Sequence, residues 1–212
     1  MAEVSGEGMP RPETDELGRY LEDTITIDWQ TPAVTEQARM LLEGLETPED
    51  RMRSLFEFVR DEIAHSIDEG LDSSSQKATC RASEVLVERT GLCYAKSHLL
   101  AALLRVAGFP AGFCYARLAG DGDTKRSTLH GFNAVYWAAT ESWIFLDARG
   151  NRPGLETECR FEAPWSLPWA PDSSAGEAFL PLIYKRPGKR IIDLLERAPD
   201  LATVCRNLPD TL

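Results

Sequence analysis

The run Gly91-Leu92-Cys93-Tyr94-Ala95-Lys96-Ser97-His98-Leu99-Leu100-Ala101-Ala102-Leu103-Leu104-Arg105-Val106-Ala107-Gly108 is the most organised segment of the chain. Leu and Ala dominate it, and both are strong helix formers. Gly108 suits the left-handed cap that ends a helix, and Pro110 prevents continuation. Apolar residues surround much of the predicted cylinder, so the helix is expected to be buried. Cys93 falls at its start, where unpaired backbone N–H groups and the helix dipole stabilise a thiolate. The backbone N–H of Cys93 is itself placed to face a developing oxyanion, and Gly91 lets the chain turn sharply into the helix.

Two helices are predicted upstream. One spans about Pro32 to Leu45, with Val34, Ala38, Leu41, Leu42 and Leu45 at helical spacing. The next opens at Thr47, a good cap, with Pro48, Glu49 and Asp50 in its first turn and a stripe of Met52, Leu55, Phe56, Val59 and Ile63. Before them, Ile25, Ile27 and Trp29 alternate with polar residues, which predicts a short edge strand within Tyr20 to Trp29, ended by Pro32. Asp72 to Ser75 reads as a polar loop, and Ser83 as the cap of a short helix over 84–89 that stops at Gly91.

Downstream the pattern changes to strands over Ala111–Leu118, Leu129–Trp137 and Ser142–Leu146, with a turn at Gly120 to Asp123. The last two strands are apolar on both faces, as in a covered sheet. Pro and Trp are scattered through Pro164 to Pro171, and a final helix is expected over Arg190–Arg197. There is no internal repeat. Helices followed by an antiparallel meander define an α+β arrangement. The expected division is a poorly ordered lead-in over 1–18, a catalytic core over 19–160, and a C-terminal extension over 161–212 that covers the core.

The chain has 212 residues, 43% hydrophobic and 27% charged, which suits one full domain with extensions. Its 34 acidic and 23 basic residues leave a net charge of −11. That balance disfavours phosphate backbones and anionic membranes, so neither nucleic acid nor a lipid surface is an expected partner. Five cysteines without a CxxC, and three histidines without HExxH spacing, predict no metal site. The odd cysteine count and the absence of a signal-like N-terminus or a long apolar run predict free thiols in a cytosolic protein.

A thiolate nucleophile needs a base and a group to orient that base. His98 sits five residues after Cys93 on the same helix, about 140° around its axis, so the two side chains diverge. His65 has no partner signal. His130 opens a strand in Leu129-His130-Gly131-Phe132-Asn133, where Gly131 permits close approach of another backbone, and Asp147 ends the next strand. If Ala138 to Glu141 form a four-residue hairpin loop, Trp137 pairs with Ser142 and His130 faces Arg149. His130 and Asp147 are then diagonal neighbours on one face, about 7–8 Å apart at their first side-chain carbons. An odd loop length would separate them onto opposite faces.

These blocks together resemble the transglutaminase-like superfamily. Ala82-Ser83-Glu84-Val85-Leu86, then Gly91 through Lys96, then Leu103-Leu104-Arg105-Val106-Ala107-Gly108-Phe109-Pro110-Ala111 are similar to its Gly-x-Cys helix opening and "ALLRxxGIPAR" ending. His130-Gly131 and Leu146-Asp147-Ala148-Arg149-Gly150-Asn151 match its later blocks as seen in bacterial members. The similarity covers about 32–155, with a weaker continuation through Gly176-Glu177 and Tyr184-Lys185-Arg186-Pro187.

The resemblance implies a papain-like α+β fold, with Cys93 as nucleophile, His130 as base and then acid, and Asp147 as orienter. It implies no cofactor and a peptide or protein amide as substrate. The reaction it implies is attack on an amide carbonyl, loss of amine, and resolution of a thioester by water or by a second amine. Hydrolysis of a peptide-like amide is the leading expectation. The alternatives are a transglutaminase forming isopeptide bonds and a non-catalytic protein-binding scaffold, against which an intact Cys93, His130 and Asp147 argues. Tyr94 departs from the small or acidic residue found after the cysteine in some members. Gln76 is a candidate oxyanion donor on chemistry alone, and Trp165 and Trp169 are expected as a lid, a groove wall or a cover for the sheet.

Overall fold

The computed structural model describes residues 2–4, 8–68, 76–120 and 126–212. The expected loop at Asp72 to Ser75 lies outside these residues, as does the turn from Asp121 onward. Helices α1 (Pro32–Leu42) and α2 (Pro48–Glu62) follow the predicted apolar spacing. Thr47 caps α2 by accepting the Asp50 N–H at 3.1 Å, and the stripe from Met52 to Val59 is buried. The first helix stops three residues short of Leu45, at an extended Glu43.

The segment Tyr20 to Trp29 is not a strand. Thr24 and Trp29 both donate their N–H groups to the Ile27 carbonyl, so the chain turns around Ile27 and buries it. Ile25 is left 73% exposed, so three alternating residues do not make a ladder here. Helix α3 (Ala82–Glu88) is capped differently from the expectation: the Glu84 carboxylate reaches back to the N–H groups of Cys80 and Arg81, both at 3.2 Å. The Ser83 hydroxyl instead donates to Asp28. Arg89, at φ 55°, supplies the left-handed end of α3.

Gly91 therefore has another reason for being glycine. Two-residue strands β3 (Ala64–His65) and β4 (Thr90–Gly91) pair in parallel, with His65 opposite Gly91. A Cβ on Gly91 would lie 3.0 Å from that of Ala95 and 3.2 Å from the Thr79 hydroxyl. Tight space, rather than backbone freedom, favours glycine here.

Helix α4 (Cys93–Val106) is the core of the fold. Leu99, Leu100, Leu103 and Leu104 are fully buried, each stabilising by about 1.5–3 kcal/mol over an exposed position. Gly108, at φ +84°, ends it as predicted, and the Phe109 N–H closes back on the Leu104 carbonyl at 2.9 Å. The helix packs on β5 (Ala111–Leu118) and β6 (Thr128–Trp137) of a sheet that continues with β7 (Ser142–Leu146).

Short strands complete the fold: β8 (Trp165–Leu167), β9 (Ala178–Phe179) and β10 (Leu182–Ile183). The main sheet is antiparallel with order β7-β6-β5-β9. Trp137 pairs with Ser142 and Asn133 with Leu146, so the hairpin loop is the four residues required for the predicted register. Two N-terminal strands, β1 (Ala2–Val4) and β2 (Arg11–Pro12), pair with β8 and β10 respectively. Thus the stretch expected as a lead-in carries strand pairs, and Tyr20 just after it is fully buried. Helices α5 (Lys189–Arg197) and α6 (Leu201–Arg206) follow, the second of them absent from the sequence reading. No helix among the described residues is long and apolar enough to cross a membrane.

Candidate active site

Cys93 is half-buried at the first position of α4, so its backbone N–H has no acceptor within the helix. His130 stands near the start of β6, and Asp147 follows β7 directly. The register sets Asp147 one step beyond the Asn133–Leu146 pair, opposite Phe132 and diagonal to His130. The side chains close that diagonal: His130 Nε2 lies 2.5 Å from Asp147 Oδ2. The other carboxylate oxygen accepts the Arg149 backbone N–H at 2.9 Å. The Asp147 carbonyl accepts the Thr157 hydroxyl at 2.8 Å.

The Cys93 sulfur also acts on the imidazole, favouring its protonated form. Since Asp147 occupies Nε2, Nδ1 is the nitrogen left for the sulfur. Burial works against a proton on His130, but Asp147, through its charge and its hydrogen bond, and the Cys93 sulfur together outweigh it. Together they raise the imidazole from 6.5 to about 10. The surroundings are closed: Phe132, Leu167, Pro168, Trp169 and Phe179 leave a cavity of about 10 Å³ beside the pair, no more than one water molecule needs. The Trp169 ring stands edge-on to the imidazole, with centroids 4.7 Å apart and planes at 76°.

Two contacts fix the cysteine's helix against the histidine's strand. The Tyr94 hydroxyl donates to the Leu129 carbonyl, and its ring lies over Gly131. The close approach expected at Gly131 is therefore by this ring and not by another backbone, since a Cβ there would be 2.8 Å from Tyr94 Cδ1. Fully buried Asn133 donates to the Ser97 carbonyl of α4 and the Gly112 carbonyl of β5, each at 3.1 Å.

The remaining candidates lie elsewhere. His98 is buried behind α4 with Nδ1 at 2.7 Å from the Cys80 carbonyl. Burial pushes it down to about 4, against the pull of that bond. His65 is pushed down to about 3, first by burial and then by the Arg149 charge. Gln76 opens onto a separate polar cavity with Lys77, Glu84 and Glu88, and its buried Oε1 has no hydrogen-bond partner. Trp165 lies in β8 against Phe145, covering the sheet.

Sequence reasoning assigned no role to Asn133, Arg149 or Lys96. Lys96 is buried one helical turn after Cys93 and donates to the Arg60 carbonyl at 3.3 Å and to the Ile63 carbonyl. Burial lowers it to about 7 against the opposing charge of Asp147. A lysine facing inward on an otherwise apolar helix is a signal visible in the sequence. Asn133 and Arg149 carry no comparable local signal, because their partners come from other elements.

A helix-borne cysteine facing a histidine–aspartate pair on neighbouring antiparallel strands defines a papain-like α+β protein. The chain belongs to the transglutaminase-like superfamily, whose sequence model matches residues 35–148. No curated protein sequence matches it. Among solved structures it is similar to a candidate cysteine protease from Cytophaga hutchinsonii, at 18% identity and a TM-score of 0.49, over 64% of this chain and 43% of that one. It is also similar to the periplasmic domain of TgpA from Pseudomonas aeruginosa, at 17% identity and a TM-score of 0.47, over 62% and 48% of the two chains. Red sea bream transglutaminase is more distant, at 14% identity and a TM-score of 0.37, over 64% and 26%. The aligned part spans less than half the length of each of these structures.

Proposed function

We propose that the chain is a thiol-dependent amide hydrolase or acyl transferase acting on a peptide or related amide, with Cys93, His130 and Asp147 as its catalytic residues. The observation that carries this reading is the His130–Asp147 hydrogen bond, with the Cys93 sulfur acting on the same imidazole. An imidazole with this proton affinity takes up the thiol's proton, leaving a thiolate beside an imidazolium.

The Cys93 sulfur attacks the amide carbonyl, and the oxyanion that forms is met by the Cys93 backbone N–H. His130 gives its proton to the departing amine as the C–N bond breaks, leaving a thioester on Cys93. A water or a second amine then attacks the thioester, giving a proton to His130 and releasing Cys93 as thiolate. Asp147 holds the ring throughout and stabilises its cationic form.

The test is activity-based profiling with a panel of peptide and amide electrophiles, using Cys93→Ala as the control. Turnover that disappears in Cys93→Ala supports the reading, and turnover that survives it overturns the assignment. Mass spectrometry of products with and without an added primary amine separates hydrolysis from transfer.

A further inference from the structure

Arg149 touches both groups that bracket His130. Its backbone N–H holds Asp147, which in turn holds Nε2 of the ring. Its guanidinium lies over the Trp169 ring, 5.7 Å from the centroid, and Trp169 stands edge-on to the imidazole. The guanidinium is not free to wander. It forms a two-pronged ion pair with Asp68, at 2.6 Å from Nη1 to Oδ2 and 3.0 Å from Nη2 to Oδ1.

Asp68 also accepts from Arg152 at 3.3 Å. The buried His65 ring lies 3.9 Å from Asp68, and its Nδ1 makes no hydrogen bond. The planar fork suits both tasks, because one edge matches the carboxylate while the face remains for the indole. These contacts join residues 68, 149 and 169, which come from three separate parts of the chain.

We infer that the Asp68–Arg149 ion pair is a positioning device for the His130 imidazole: Arg149 steadies Asp147 through its backbone and Trp169 through its guanidinium. This rests on the thiolate–imidazolium reading of Cys93 and His130 given above. With the indole unmoored, water reaches the His130–Asp147 bond, the imidazolium is held less firmly, and less thiolate forms at mildly acid pH.

The charged groups facing His130 and this pair are Asp147, Asp68, Arg152, Lys96, Arg149 and the Cys93 sulfur, together with His65. Arg149→Lys keeps the charge and the backbone N–H to Asp147, and loses only the fork and the stacking face. Asp68→Asn removes the anchor and leaves Arg149 in place.

The experiment measures alkylation of Cys93 by iodoacetamide at pH 6 and pH 10 in the full chain, read by mass spectrometry, alongside the melting temperature. Arg149→Lys is expected to lower the pH 6 rate about tenfold while leaving the pH 10 rate, where ordinary thiolates form in any case, unchanged. Asp68→Asn is expected to act in the same direction, and it carries the test if Arg149→Lys does not fold. A folded variant whose ratio of the two rates equals that of the wild type overturns the inference, even if its melting temperature falls. Wild-type Cys93 that reacts at pH 6 no faster than Cys159 overturns the thiolate reading itself, and the positioning role with it.

Discussion

Tyr94, the residue after the cysteine, and Gly131, the residue after the histidine, occupy one another's only available space. A Cβ on Gly131 would sit 2.8 Å from Tyr94 Cδ1, a separation side chains do not adopt without moving. The Tyr94 hydroxyl is tied to Leu129 on the other side of His130, so the ring cannot simply swing away. Gly131→Ala is expected to cost about 1–3 kcal/mol through overpacking and to shift the first turn of α4 away from β6. Thermal unfolding and Cys93 alkylation at pH 6 measure the two effects. Tyr94→Leu in the Gly131→Ala background should recover part of the lost stability, since it removes the ring edge.

The five cysteines differ in what surrounds them. Burial pushes Cys80 and Cys159 up to about 12 and raises Cys114 well above its ordinary value. Cys205 on α6 is raised by burial, with the Cys93 sulfur adding to it. Of the five sulfurs, that of Cys93 is the one that acts on the His130 imidazole. Limited iodoacetamide at pH 7 followed by peptide mapping is therefore expected to find Cys93 labelled first. Equal labelling of Cys93 and Cys114 would count against an activated thiol.

Asp147 is the foremost of the groups that together overcome the burial of His130. In Asp147→Asn the charge is gone, and the imidazole falls well below its wild-type value. An imidazolium-dependent reaction in the wild type should persist to alkaline pH and fail as pH rises through about 10. In the variant, the alkaline loss should move down by several pH units, and turnover near neutrality should fall roughly 10⁴-fold. The same sign applies to stability: a proton held more tightly in the fold stabilises it fully below pH 6.5, and that contribution fades as pH rises through 10.

His98 has the opposite sign. Its proton affinity is lowered in the fold, to about 4, so the folded chain resists protonation that the unfolded chain accepts. Its neutral form is no burden above pH 6.5. Between pH 6.5 and 4 the imbalance costs on the order of 3 kcal/mol. His65 adds in the same direction down to about pH 3. Denaturant melts at pH 7 and pH 4.5 should show a marked loss of stability, smaller in a His98→Gln variant. Equal acid sensitivity in the two proteins would refute the assignment.

The parts of this fold that were legible from sequence are those whose cause is local. The α4 helix is encoded by its own residues from Cys93 to the Gly108 cap. The β6–β7 register follows from a four-residue loop, so parity arithmetic places His130 beside Asp147. Ile25 to Trp29 misled because alternation over three residues is also what a turn around one buried isoleucine produces. Ser83 looked like a cap, but Asp28, more than fifty residues earlier, takes its hydroxyl. Trp169 and Asp68 were invisible as partners of the site because each lies far along the chain from the residue it meets.

Arg105 shows how far that wrapping matters. Buried near the end of α4, its guanidinium donates to the carbonyls of Glu22, Ala111 and Lys185. Two of these three acceptors lie outside residues 35–148, the part that matches the family. A chain cut to the family boundaries would leave a buried cation without two of its three carbonyl acceptors, and would uncover the edge of β5 that residues 178–184 close. The stretch that relatives share is thus smaller than the stretch that can fold. An expression fragment intended to keep the chemistry must begin before Tyr20 and run past Lys185.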